Sequence, residues 1–84
     1  MGKFDKLLLK ILRGSSDACI GFQELRGLLK QLGFEERIRG SHHVFRKQGV
    51  EEKVNLQMDG AQAKPYQVRQ VRTIILKYKL VGDE

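Results

Sequence analysis

The sequence predicts an α+β fold, helices packed on one antiparallel three-stranded sheet, and three patterns predict it. Apolar residues recur at spacings of three and four as far as Leu32. The period shortens to alternation between Phe34 and Met58, and helical spacing returns after Pro65. The element order this gives is ααβββα.

Phe4, Leu7, Leu8, Ile11 and Leu12 share one face of a first helix around Lys3 to Arg13, which Gly14 stops before the loop Ser15-Ser16-Asp17. Phe22, Leu25, Leu28, Leu29 and Leu32 repeat the pattern, with Gly33 at the end. Gly27 weakens that helix by about 1 kcal/mol relative to alanine without cancelling it. Glu36 and Ile38 then alternate with Arg37 and Arg39 as a first strand. Gly40-Ser41 forms a two-residue turn with glycine at the first central position, and His42 to Lys47 return. After the Gln48-Gly49 turn, Val54, Leu56 and Met58 alternate with Asn55 and Gln57, completing a meander. Asp59 to Lys64 read as a loop. Pro65 suits the first turn of a helix, where its missing N–H is not needed. Val68, Val71, Ile74, Ile75 and Tyr78 form the apolar stripe of that helix, opposite Arg69, Arg72 and Lys79.

A chain of 84 residues supports one core, so residues 1–84 are expected to form a single domain, with 1–19 an accessory helix and loop before a 20–80 core. No internal repeat or low-complexity tract interrupts it. Hydrophobic residues at 40% and charged residues at 31% exclude a disordered or fibrous chain. The lone Cys19 cannot close an internal disulfide, which points to a reducing compartment, and Ala18-Cys19-Ile20 reads as a buried or half-buried apolar thiol. Leu7-Leu8-Leu9 is broken by Lys10, too short to span a bilayer, and no signal-peptide cleavage pattern follows. Lys6 stands where a myristoylation signal on Met1-Gly2 needs Ser or Thr. A soluble cytoplasmic protein with no membrane partner is expected.

The net charge of +6 is unevenly spread. Residues 1–36 hold six Lys/Arg against five Asp/Glu, residues 37–79 hold ten against three, and Asp83 with Glu84 close the chain. A basic second half favours a polyanion through phosphate contacts and counterion release, although charge alone fits a solvated surface equally well.

The sequence contains no Walker-type loop, GxGxxG, HExxH or GxSxG, so no small-molecule cofactor is implied. Its two histidines are adjacent, and on a strand they must point to opposite faces. Phe45, the most apolar residue of that strand, should face the helices and take His43 inward with it. Val44 argues for the opposite parity. With Phe45 inward, His42, Val44 and Arg46 lie on the open face near Arg37 and Arg39. There His42 is the candidate general base for a ribose 2′-hydroxyl, with Lys and Arg groups stabilising the phosphorane charge and no metal required. Ser41 is a candidate for orienting phosphate or imidazole, although a turn serine more often satisfies local backbone groups. By spacing alone, a histidine at a strand start is more often structural or solvated, and His43 reads that way. Two histidines and one cysteine without a carboxylate pair make a poor zinc site. Tyr78 belongs to the helical stripe, whereas Tyr66 is a candidate surface contact.

Phe22-Gln23-Glu24-Leu25 opening a helix, Leu32-Gly33-Phe34 ending it, Arg39-Gly40-Ser41-His42-His43 and the final basic helix together resemble the HicA toxins of bacterial toxin–antitoxin systems. The resemblance covers about residues 20 to 80. It implies an αβββα core similar to the double-stranded RNA-binding domain, preceded here by an extra N-terminal helix. It also implies a metal-independent endoribonuclease that cleaves mRNA, and a HicB-like antitoxin protein that silences it. The family's catalytic histidine after Gly-Ser falls on His42; some members carry it one place later, which makes His43 the second choice. Arg37, Arg39, Gly40, Arg46, Lys47 and Lys64 are the candidate RNA contacts. Two features depart from the family pattern: the helix around Lys3 to Arg13 is an addition, and the third strand ends Val54-Asn55-Leu56-Gln57-Met58 without the Pro-x-His found in many members. The rival readings are a non-catalytic RNA-binding module and a protein-interaction domain whose basic face docks an acidic partner. Strand periodicity from Glu36 to Met58 argues against a helix-turn-helix DNA reader.

Overall fold

The computed structural model describes residues 4–80, so the readings of Met1-Gly2, Lys3, Asp83 and Glu84 lie outside the described residues. Helix α1 (Asp5–Arg13) and a 3-10 turn (Asp17–Cys19) lead into α2 (Phe22–Gln31). Strands β1 (Glu35–Arg39), β2 (His42–Lys47) and β3 (Val50–Leu56) follow. A short hairpin of β4 (Met58–Asp59) and β5 (Gln62–Ala63) then leads to α3 (Pro65–Tyr78). The main sheet runs β1-β2-β3, antiparallel throughout, with a register shift between Phe45 and Lys47. This is the expected α+β architecture, with α2, the meander and α3 in the αβββα order of a double-stranded RNA-binding domain.

Each helix is held by the face its spacing defined. Leu25, Leu28 and Leu29 of α2 and Val68, Val71, Ile74 and Ile75 of α3 are buried in one cluster with Phe45, Val54 and Leu56 of the sheet. Burying each such side chain contributes roughly 1.5–3 kcal/mol. Ile11 of α1 and Ile20 are fully buried in the same cluster, and Phe4, Leu7, Leu8 and Leu12 pack against it. Arg72 of α3 also grips the N-terminal segment: it donates to the Ile11 carbonyl at 3.1 Å and to both Asp17 carboxylate oxygens at 2.8 and 3.2 Å.

Two local differences from the sequence reading have physical causes. The third strand begins at Val50, because the Gln48-Gly49 turn is tight enough to set Lys47 opposite Val50, and it ends at Leu56. Met58 leaves that strand for the second hairpin, where the sequence pointed to a loop from Asp59 to Lys64. Gly60, at φ 65°, closes a two-residue turn that sets Asp59 against Gln62 and Met58 against Ala63. Strands of two residues carry no alternation to detect. The hairpin is stabilised from outside: Phe22 N–H donates to the Ala61 carbonyl at 3.0 Å and Ala63 N–H to the Ile20 carbonyl at 2.9 Å. Gln67 staples its two flanks. This residue is 2% exposed, and its Oε1 accepts the backbone N–H of Gln57 at 3.2 Å and of Lys64 at 3.4 Å. Among the described residues no helix is long and apolar enough to cross a membrane.

Candidate active site

The register places the two histidines. Gly40, at φ 59°, turns the chain so that Arg39 faces His42 and Ile38 faces His43, which in turn faces Leu56 on β3. Phe45 is fully buried, so the inward set is Glu36, His43, Phe45, Val54 and Leu56, while Ile38 shares their parity but is 56% exposed near the end of β1. His42 lies on the exposed face with Arg37, Arg39 and Arg46, as the parity argument required, and Val44 is half-buried there between Arg37 and Asn55.

His43 sits in a built environment. Its Nδ1 is 2.7 Å from Glu36 Oε2, its ring meets Phe22 edge to face at 4.9 Å and 78°, and its side chain keeps 14% exposure. Glu36, only 5% exposed, is gripped in turn from α2. Arg26 donates through Nε to Oε2 at 2.7 Å and through Nη2 to Oε1 at 2.8 Å, while Lys30 Nζ lies 3.4 Å from Oε1. Arg26 Nη1 is anchored on Gln23 Oε1 at 2.7 Å. The Arg26 hydrogen bonds, with the weaker help of His43 and Lys30, outweigh burial and push the Glu36 carboxyl from an ordinary 4.5 down to about 2. The guanidinium of Arg26 is raised in return, chiefly by the same bond.

This pairing gives a pH prediction. Glu36 titrates near 4.5 when unfolded and near 2 when folded. Its ionised form therefore adds stability that is complete above the higher value and disappears as pH falls through the lower one. Urea midpoints measured between pH 6 and pH 2 should fall through that window, and Glu36→Gln should flatten the slope. Glu52 is also held at about 2, by Lys77 first and then by Tyr78. It lies on the surface, so the Lys77 share of its slope should shrink in high salt more than the Glu36 part does.

The structure divides the remaining candidates. Gln57 donates through Nε2 to Ser41 Oγ at 3.4 Å and accepts Lys64 Nζ on Oε1 at 3.3 Å. Ser41 and Lys64 thus meet at the rim where β2 begins and β3 ends. Lys47 lies at the far end of β2, roughly 16 Å along the strand from His42 at 3.3 Å per residue, with Arg46 beside it opposite Glu35. Tyr66 is 56% exposed, as a surface contact requires. Tyr78 packs against the core and donates to Glu52 Oε1 at 2.6 Å. Cys19 departs from the reading as a buried or half-buried thiol: it is exposed, and its neighbour Ile20 takes the core position.

Sequence reasoning missed Glu36, Arg26 and Gln57. Alternation separated Glu36 from Arg37 and Arg39, and a carboxylate on the face opposite those arginines is a signal that a partner could meet it there. Nothing in the sequence said which helical residue would supply it. An ionised carboxylate only accepts, so Nδ1 of His43 is the donor in this contact, and Nε2 is the acceptor nitrogen whenever the ring is neutral. Among the described residues no group of three or more His, Cys, Asp or Glu could hold a metal ion.

Residues 22–78 match the family model described as the HicA toxin of bacterial toxin-antitoxin. That span takes in α2, the three-stranded sheet, the β4–β5 hairpin and α3, and leaves out α1. No curated protein and no solved structure matched the chain.

Proposed function

Because the chain belongs to the HicA toxin family, and so is the toxin of a toxin–antitoxin pair from a ribonuclease family, we propose that it is a metal-independent endoribonuclease that cleaves mRNA with a histidine as general base. The observation that carries this reading is the 2.7 Å contact between His43 Nδ1 and Glu36, which in the neutral ring makes Nε2 the basic nitrogen. In this scheme Nε2 removes the 2′-hydroxyl proton, and the 2′-oxygen attacks the adjoining phosphorus. The bond to the 5′-oxygen breaks and that oxygen takes a proton from solvent. The products are a 2′,3′-cyclic phosphate and a 5′-hydroxyl. In this scheme Lys64 and Ser41 at the rim take the phosphate oxygens, while Arg37, Arg39 and Arg46 on the open face hold the flanking backbone. Gly40 brings that backbone close to the turn, and Lys47 takes phosphates at the far end of β2.

A second reading keeps His42 as the base, favoured by its exposure and by Arg39 directly opposite it. The partner protein that silences the toxin is, in this proposal, a HicB-like antitoxin. The test uses purified toxin freed from any partner, incubated with mRNA in EDTA. Cleavage to cyclic-phosphate ends supports the proposal. Cleavage that needs added divalent metal removes metal independence. Intact RNA bound at low salt returns the protein to the class of non-catalytic RNA-binding modules.

A further inference from the structure

We propose that Arg26 is a positioning residue for the cleavage step, acting through Glu36 to fix the orientation and tautomer of His43. The proposal rests on the reading of His43 as the base. A glutamate side chain is long, and its carboxylate can rotate about its last torsion to offer either oxygen to a donor. Here that freedom is removed. Arg26 meets Glu36 with two parallel bonds, 2.7 Å to Oε2 and 2.8 Å to Oε1, the forked geometry that a guanidinium makes and an ammonium cannot. The fork is itself held at its third nitrogen by Gln23, so the carboxylate plane is set by α2. Oε2 then keeps its remaining lone pair for His43 Nδ1.

The spacing of the α2 residues makes this one device. Phe22 and Arg26 are four apart and Gln23 and Arg26 three apart, so they share a face of the first turns of the helix. Phe22 presses its ring against the imidazole, Arg26 aims the carboxylate, and Gln23 steadies Arg26. A single helical face therefore sets both the plane of the imidazole and the site of its proton. An ion pair that merely tied α2 to β1 would not require Nδ1 of a histidine to share the same oxygen. Lys30, 3.4 Å from Oε1, adds charge without the fork.

The experiment is nitrogen NMR of the imidazoles together with steady-state cleavage, on wild type, Arg26→Met and Arg26→Lys, each checked for folding by thermal melting. In wild type the neutral His43 ring should show the proton on Nδ1. In Arg26→Met it should spread over both nitrogens, with kcat lower by roughly 10–100-fold, the range seen when the outer partner of a metal-bound histidine is removed, and with KM little changed. Arg26→Lys keeps the charge but loses the fork, and should fall between the two; it carries the test if Arg26→Met does not fold. A folded variant with the wild-type tautomer and wild-type kcat, beside a His43→Ala variant that is inactive, overturns the positioning role alone. A His43→Ala variant cleaving at the wild-type rate overturns the base reading, and this proposal falls with it.

Discussion

Replacing His43 with alanine is expected to lower kcat by about 10²–10⁴-fold, the range attached to removal of a positioned general base. KM should move little if, as proposed, the flanking phosphates are held by Arg37, Arg39 and Arg46 on the other face of the sheet. His42→Ala should behave in the opposite sense. That imidazole lies among the open-face arginines, so its loss should raise KM several-fold, most visibly at low salt, and leave kcat largely intact. The comparison is decisive because the two residues are adjacent, so their backbone environments differ little, and parity alone separates what their side chains meet. A kcat collapse in His42→Ala with near-normal turnover in His43→Ala would assign the base to the open face.

The second large effect is on stability. Phe22→Ala should cost about 3–5 kcal/mol, as deletions of a buried phenyl ring do. Phe22 is fully buried at the start of α2, where its N–H also anchors the second hairpin at the Ala61 carbonyl. Its edge-to-face contact with His43 adds to the loss, since aromatic pairs contribute about 0.5–1.5 kcal/mol beyond the area they bury. A chain of 84 residues has little reserve against such a change. Chemical denaturation should show a midpoint lowered to where part of the population is unfolded at 37 °C. Phe22→Leu fills much of the same volume and should recover most of the stability, but without the aromatic edge against the imidazole. A variant of wild-type stability would show that the contact at 4.9 Å contributes nothing to the core.

Much of the architecture was legible because it depends on periodicity. The stripes of α2 and α3, Gly33 after α2, Pro65 at the start of α3 and the Gly40-Ser41 turn all follow from local rules, and each lies where those rules set it. The separation of His42 from His43 was legible for the same reason, since strand parity needs only one firmly buried neighbour, and Phe45 is fully buried. The β4–β5 hairpin was not, because its two-residue strands are stabilised by Ile20 and Phe22, some forty residues away in sequence. The Arg26–Glu36–His43 contact was hidden likewise. Pairing between a helix and a strand depends on their packing, which no local pattern encodes. The sequence ranked His42 above His43 on its open-face parity and on motif position, and it could not show the Glu36 carboxylate 2.7 Å from the second histidine.

The two-residue turn at Gly40-Ser41 has a consequence for how this protein can change. Side chains on a strand alternate faces, so adding or deleting one residue in that turn would exchange the surroundings of the two histidines, sending one out among the arginines and bringing the other in toward Glu36. Substitutions can vary the composition of either face by degrees, but a length change at this point exchanges them in one step. Drift at Gly40-Ser41 is therefore confined to residue type, and a homologous chain with a longer turn there should carry a compensating bulge beyond it, of the kind already present between Phe45 and Lys47.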